Sequence, residues 1–299
     1  MSAPKVSILI PAYHERFFAD ALESALLQDY PSFEVVVCDD SSGDAIEREV
    51  RGAEDPRLRY ARNPERRGFE GNFTECLRQA RGELVKFLND DDRLHRDCVA
   101  RLAAAFDGHA HLRLATSRRQ VIDAEGKPRA DIAATQPVAY VPCVTPGHEL
   151  GNLVLVNGLN LIGEPTTVMF RRADVSTNAP IFTWGGKSYH CLADLSLWLR
   201  LLAKGTAYYD SAPLSQYRMH EGQEQRTGAV DCITERLDLV TEARGTGFLA
   251  TEAQYASALE RVDALAKIWS ARPGVPDEDR ATLSELCASI ATQMPAMET

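Results

Sequence analysis

The chain has 299 residues, 44% of them hydrophobic and 25% charged, the ordinary balance of a globular protein with room for one large α/β domain or a domain with an appendage. A net charge of −10 argues against a nucleic-acid binder driven by phosphate contacts, which needs a basic face, and leaves a local basic patch open. The seven cysteines are scattered, odd in number and without C-x-x-C spacing, so they are expected as reduced core residues of a cytosolic protein with no zinc site.

Lys5-Val-Ser-Ile-Leu-Ile10 is rich in β-formers and is expected to stop at Pro11, which cannot donate to a ladder. Residues 1–4 are too short for a signal peptide, and the apolar run Val6–Ile10 is far shorter than a membrane span. The expectation is therefore a cytoplasmic protein without a transmembrane segment, with peripheral attachment at the inner face of the membrane left open. Leu22, Ala25 and Leu26 recur at helical spacing, and Phe33-Glu-Val-Val-Val-Cys38 is a second strand running into Asp39-Asp40. A short strand near Leu58–Ala61 is followed by a loop from Asn63 to Gly71 and by a helix that Asn72 could cap.

Glu83-Leu-Val-Lys-Phe-Leu88 then reads as a buried parallel strand ending in Asn89-Asp90-Asp91-Asp92. Three adjacent carboxylates resist burial and call for solvent, basic groups or a metal. In an open α/β sheet they would lie in the crevice at the carboxyl ends of the strands, where ligands bind. A divalent-metal site for a phosphate-bearing substrate and a plain solvated loop capping the helix near Val99–Phe106 both fit them. The first 106 residues thus alternate strand and helix, which predicts a parallel, doubly wound sheet with right-handed crossovers. The lack of G-x-G-x-x-G and of G-x-x-x-x-G-K-[ST] argues against the usual dinucleotide fold and against a P-loop enzyme.

Further on, Leu112–Ile122 reads as a strand, 130–146 as loop, His148–Val156 as a helix and Thr166–Phe170 as a strand. Leu195, Trp198, Leu199 and Leu202 mark a helix from Asp194 with Trp198 in the core. Tyr208-Tyr209 and Leu214–Met219 read as strands, and 230–296 as a helical tail split by Pro273 and Pro276.

Val6-Ser-Ile-Leu-Ile-Pro-Ala-Tyr13, Val37-Cys-Asp-Asp-Ser-Ser42, Phe87-Leu-Asn-Asp-Asp-Asp92, Asp194-Leu-Ser-Leu-Trp-Leu-Arg-Leu201 and Tyr217-Arg-Met-His220 resemble, in order, the landmarks of family 2 glycosyltransferases with the GT-A fold. The resemblance spans roughly residues 5–222. It implies a Rossmann-like, mostly parallel sheet with flanking helices, plus a C-terminal helical tail. The implied layout is a catalytic domain over 1–225, with a nucleotide-binding half at 1–106 and an acceptor-binding half at 107–225, and a helical extension over 226–299.

The implied activity is inverting transfer from a nucleotide-activated sugar, UDP-linked first and dTDP-linked next, with Mn²⁺ or Mg²⁺. The acceptor would be a cell-surface glycan, a lipid-linked saccharide or a protein. By the same resemblance Pro11, Tyr13 and Glu15 match the loop that holds the base, Asp40 the acid that reads uracil N3–H, and Arg67, with Arg66 beside it, a basic position near the nucleotide. Asn72 matches a residue common in that loop. Asn89 stands where many relatives have an acid, which moves ribose and metal duties to Asp90, Asp91 and Asp92, with Asp91 the foremost ligand. His220 matches a histidine that closes the metal site. Asp194 matches the acid that activates the acceptor hydroxyl; Ala193 replaces the Glu frequent before it, and Glu164 is the next acid to consider.

A sugar-phosphate nucleotidyltransferase and a non-catalytic nucleotide-sugar sensor are the alternatives. The former needs a basic, glycine-rich loop where Ala12-Tyr-His-Glu15 stands, and retention of Asp91 and Asp194 speaks against the latter. The tail is expected to pack on the catalytic domain or to make a homodimer, its acidic residues disfavouring an anionic bilayer.

Overall fold

The computed structural model describes residues 3–221 and 228–294. The chain runs β1 (Val6–Ala12), α1 (Phe18–Leu26), β2 (Phe33–Asp39), α2 (Ala45–Gly52), β3 (Leu58–Arg62), α3 (Gly68–Gln79), β4 (Leu84–Phe87), β5 (Arg93–Leu94), α4 (Cys98–Phe106), β6 (Leu112–Ile122) and β7 (Cys143–Pro146). It continues through α5 (Gly147–Asn157), β8 (Met169–Arg171), β9 (Thr183–Trp184), β10 (Lys187–Ser188), α6 (Ala193–Leu202), β11 (Thr206–Arg218), α7 (Ala229–Gly245), α8 (Glu252–Ser270) and α9 (Asp277–Gln293). Two compact units result. One comprises Met1–Pro146, Leu161–Ile181 and Lys204–Glu221, the other Gly147–Asn160, Phe182–Ala203 and Gly222–Thr299. The expected boundary at 225/226 lies outside the described residues.

The first unit is built on a nine-stranded sheet of order β3-β2-β1-β4-β8-β6-β11-β5, with β7 also on β11. Its β3-β2-β1-β4 half is parallel, as the strand–helix alternation requires, and β1 and β2 are buried along their whole length. The other half is mixed, because β8 enters antiparallel between β4 and β6, while β6 and β11 run parallel.

Four local expectations change. Pro11 does not end β1, which pairs with β2 as far as Ala12↔Asp39. The Lys5 and Leu9 carbonyls serve β4, so Pro11, of the same parity, faces the side where β4 pairing has stopped at Phe87, and its missing N–H costs no ladder bond. The strand expected over Thr166–Phe170 is a 3-10 turn, Pro165–Thr167, followed by β8, because Pro165 opens the turn and the Thr167 N–H and hydroxyl both return to the Glu164 carbonyl. The two strands expected over 208–219 are one, β11, with register shifts on either side of Pro213, where a residue without an N–H is tolerated. Asn72 is not a cap: α3 begins at Gly68 and buries Asn72 in its interior.

In the second unit α5 packs on α6 and α8, and α7, α8 and α9 pack on one another. Gly151 of α5 lets Phe248 and Leu199 approach so closely that a Cβ would lie 2.2 Å from the Phe248 ring. Cys191 and Cys232 form a disulfide across a Cα–Cα distance of 5.2 Å, a correction to the all-reduced reading. Glu235, one turn further along α7, accepts from the N–H groups of His190 and Leu192, 2.8 Å each, so bond and carboxylate together tie the lead-in of α6 to α7. Because the bridge closes a 41-residue separation, Cys191→Ser with Cys232→Ser is expected to lower unfolding stability by about 2–4 kcal/mol, read from denaturant midpoints without reductant. Among the described residues no helix is long and apolar enough to cross a membrane.

Candidate active site

At the carboxyl ends of β1, β2 and β4 the chain gathers Tyr13 and Glu15, Asp39 and Asp40, and Asn89 to Asp92, while the end of β11 brings Arg218 and His220. The acids are not equivalent. Asp90 Oδ2 accepts from the backbone N–H groups of Tyr13 and His14, 2.7 Å each, so this carboxylate holds the loop after β1. Burial raises its pKa against those two bonds.

Asp92 is buried and spent internally. Its Oδ1 accepts from the Arg218 N–H at 2.9 Å, and its Oδ2 from the Thr166 hydroxyl at 2.6 Å and the Asn89 amide at 3.2 Å. Burial and the Asp91 charge hold Asp92 well above the usual carboxylate range. The Lys86 ammonium, fully buried inside β4, donates to the Thr166 carbonyl and lies close enough to Asp92 for the two charges to favour each other. The expectation that the triplet could not share the burial of its strand therefore fails: donors from Asn89, β11 and the Pro165–Thr167 turn stand in for water. Asp92 accordingly positions its neighbours, and its assignment as a direct metal ligand does not fit.

Among the described acids of this cluster, Asp91 turns its carboxylate to a second donor atom suited to a cation, with His220 Nε2 3.1 Å from its Oδ2. Burial and then the Asp90 charge push Asp91 up to about 7, against the Arg218 charge. Burial, with the charges of Arg16, His14 and Arg218, lowers the pKa of His220, which favours the neutral imidazole a metal would need. Among the described residues no three His, Cys, Asp or Glu side chains converge as a cage. One carboxylate and one imidazole fit a Mg²⁺- or Mn²⁺-type ion that takes its remaining ligands from substrate oxygens.

Arg218 was missed as a site residue, although it stands inside a quoted motif. Fully buried, it donates from Nε to the Asp91 carbonyl at 2.7 Å and from Nη1 to the carbonyl of Ala124 at 3.1 Å, pairs with Asp20 at 2.9 Å, and lies 4.4 Å over the Phe17 ring. It fixes the Asp91 backbone from below. An Arg at the end of a strand carries no sequence signal that distinguishes this from a surface position.

On the nucleotide side, several expected roles change. Asp40 accepts from Asn63 Nδ2 and the Arg67 N–H, 2.8 Å each, and from the Gly68 N–H at 2.9 Å. It thereby caps α3 from a distance, complementing the positive helix end, and its carboxylate is occupied by these three donors where a free one was expected for N3–H. Asn72 donates to the Ala12 and Cys38 carbonyls and accepts from Asn63, tying β1 and β2 together at their ends. Arg67 directs its guanidinium at Asn63, 3.2 Å, and Glu75, 3.8 Å, whereas Arg66 lies 4.5 Å over the half-exposed Tyr13 ring. Arg66 rather than Arg67 is thus the cation beside the aromatic face. Pro11 is buried within β1, and Glu15 is exposed.

In the second unit, Asp194 sits in the first turn of α6, where its Oδ2 accepts from Asn160 Nδ2 and its Oδ1 from the Leu195 N–H, 2.7 Å each. Asn160 was not foreseen, lying 34 residues earlier in the chain. Glu164 is no reserve for it: its buried carboxylate lies 2.6 Å from Nε of the buried Arg119 and is occupied by that partner. Trp198 is in the core, as expected.

Residues 7–175 match the family model for glycosyl transferase family 2. An uncharacterised protein of Mycobacterium tuberculosis is 31% identical over 228 residues, 75% of this chain and 70% of that one. A GalNAc(5)-diNAcBac-PP-undecaprenol β-1,3-glucosyltransferase of Campylobacter jejuni is 34% identical over 114 residues, 36% of this chain and 37% of that enzyme. The poly(ribitol-phosphate) β-N-acetylglucosaminyltransferase TarS of Staphylococcus aureus is 30% identical over 138 residues, 44% of this chain and 24% of that enzyme. The crystal structure of TarS residues 1–349 with UDP-GlcNAc superimposes with a TM-score of 0.71 over 97% of this chain and 82% of that one, at 18% identity.

Proposed function

The chain belongs to glycosyl transferase family 2 and has the GT-A fold, and from that premise we propose that this glycosyltransferase moves a sugar, with inversion, from a UDP-sugar to a hydroxyl of a glycan or lipid-linked saccharide. The observation that carries the donor side is the convergence of Tyr13, Asp90, Asp91 and His220 at the carboxyl ends of the strands. The Tyr13 ring, with Arg66 beside it, offers a face to the base, and Asp90 keeps that loop in place. Asp91 and His220 would hold Mn²⁺ or Mg²⁺, which when bound offsets the charge of the diphosphate. Asp194 takes the proton of the acceptor hydroxyl, aimed by the amide of Asn160.

On the acceptor side, the named relatives act on sugars carried by a diphosphate lipid and on a phosphate polymer, and we place this chain's acceptor in the same broad class. Work at the inner face of the cytoplasmic membrane follows from such acceptors. The test is release of free nucleotide from a panel of UDP- and dTDP-sugars with Mn²⁺ or Mg²⁺ and no acceptor. Slow, metal-dependent release of UDP is expected. Turnover of a nucleoside triphosphate with a sugar phosphate, and none of the panel, would identify a nucleotidyltransferase instead.

A further inference from the structure

The second unit holds two arginines that the donor chemistry does not use. Helices α7 and α8 pack on each other as consecutive elements joined by residues 246–251, which places Arg236, nine residues before the end of α7, level with Arg261, nine residues into α8. Arg261 is anchored against the turn that carries Asn160: its Nε donates to the Asn157 carbonyl at 2.9 Å, and its stem lies against Gly158, whose φ of +63° keeps that turn tight. Asn160, on the same turn, holds Asp194. Arg236 follows Glu235, the residue that grips the N–H groups of His190 and Leu192 just ahead of Asp194. Arg261 is thus tied to the turn whose Asn160 holds the acceptor-side base, and Arg236 lies close enough for its charge to act on both Arg261 and Asp194.

Among the described residues no acid forms an ion pair with either guanidinium. Glu235 is spent on two backbone N–H groups, Asp238 pairs with Lys187, and Asp194 is engaged by Asn160 and the Leu195 N–H. Among the described residues Arg236 makes no hydrogen bond or ion pair, and Arg261 bonds through Nε alone, which leaves its terminal donors unspent. Burial pushes the Arg236 guanidinium down to about 10, the Arg261 charge adds to this, and Asp194 works against it. Two like charges close enough to repel, one of them partly desolvated, favour an anion that joins them, and the guanidinium fork matches phosphate oxygens in pairs.

We propose that Arg236 and Arg261 form an anion subsite beside Asp194 that takes a phosphate group carried by the acceptor, a proposal that rests on the assignment of Asp194 as the acceptor-side base. The subsite places the phosphate near the base and selects acceptors whose sugar hydroxyl lies a short distance from a phosphate. Uncharged saccharides lack this anchor.

Calorimetry on the full chain, with chelator and at low ionic strength so that the metal-dependent site is silent, tests this with hexyl phosphate against hexanol. Binding of hexyl phosphate alone is expected, and Arg236→Met with Arg261→Met should weaken it by about tenfold or more while melting and Mn²⁺-dependent UDP affinity stay as they were. Arg261→Gln, at an exposed position, should weaken it several-fold without burdening the fold. Tighter binding of hexyl diphosphate supports the subsite and points to a diphosphate lipid. Tighter binding of diethyl phosphate supports it and points to a phosphodiester polymer. No binding to the wild type, or equal binding to the double variant, overturns the proposal. Loss of metal-dependent UDP binding with hexyl phosphate binding intact would instead overturn the donor-site reading.

Discussion

Asp194→Asn is expected to reduce transfer to acceptor by about two to four orders of magnitude. A sugar hydroxyl is a weak nucleophile until its proton is taken, and inversion needs a base on the face away from the departing nucleotide, a duty separate from that of the donor-side acids. The substitution removes basicity and little else. The amide oxygen can still accept from the Leu195 N–H, and Asn160, by turning its own amide, can accept from the new NH₂ group. Leu195, Trp198 and Leu202 stay buried, so α6 keeps its place. Steady-state kinetics with acceptor, beside UDP affinity and melting, separate the roles: a fall in turnover with UDP affinity unchanged marks the base. Transfer at the normal rate with a lowered melting temperature would make Asp194 a helix-terminal acid and nothing more.

Asp91→Ala is expected to abolish the gain in UDP affinity that Mn²⁺ or Mg²⁺ gives the wild type, without unfolding the protein. The carboxylate lies beside His220 at the rim of the crevice and holds no strand together, whereas Asp90 and Asp92 anchor the β1 loop and the end of β11. The wild-type gain should also depend on pH. Asp91 titrates at about 7 in the fold, above the usual carboxylate value, so between roughly pH 4 and 7 the folded chain holds a proton that the unfolded chain releases. Stability of the metal-free protein therefore falls as pH rises through that window. A cation must displace the same proton, so its binding, and the melting-temperature rise it produces, should be small at pH 5, grow towards pH 7 and level off above it. Calorimetry and thermal melts with Mn²⁺ and UDP across that range provide the measurement. A gain that is independent of pH, or that survives in Asp91→Ala, would remove Asp91 from the metal site.

Much of the framework was legible in the sequence because its signals are local. Apolar runs of β-formers ending in acid mark β1, β2 and β4, and the helical spacing of Leu195, Trp198, Leu199 and Leu202 marks α6. The run Leu112–Ile122 proved to be β6 from end to end. The alternation in the first half required a parallel sheet there, but nothing local announced that β8 would enter antiparallel, since strand direction is settled by pairing partners far along the chain.

The tertiary structure alone decided what each acid does. Asp40, Asp90, Asp91 and Asp92 are the same side chain, and only their neighbours separate them. The donors that occupy Asp40 come from residues up to 28 positions away, those on Asp92 from Thr166 and Arg218, 74 and 126 away, and the imidazole beside Asp91 from 129 away. The same distance hides the Cys191–Cys232 bridge and the Asn160 amide on Asp194. Hydrogen bonding and desolvation act over a few ångströms in space, so the sequence can place carboxylates at the ends of strands, and only the folded chain determines which of them is left to meet a substrate.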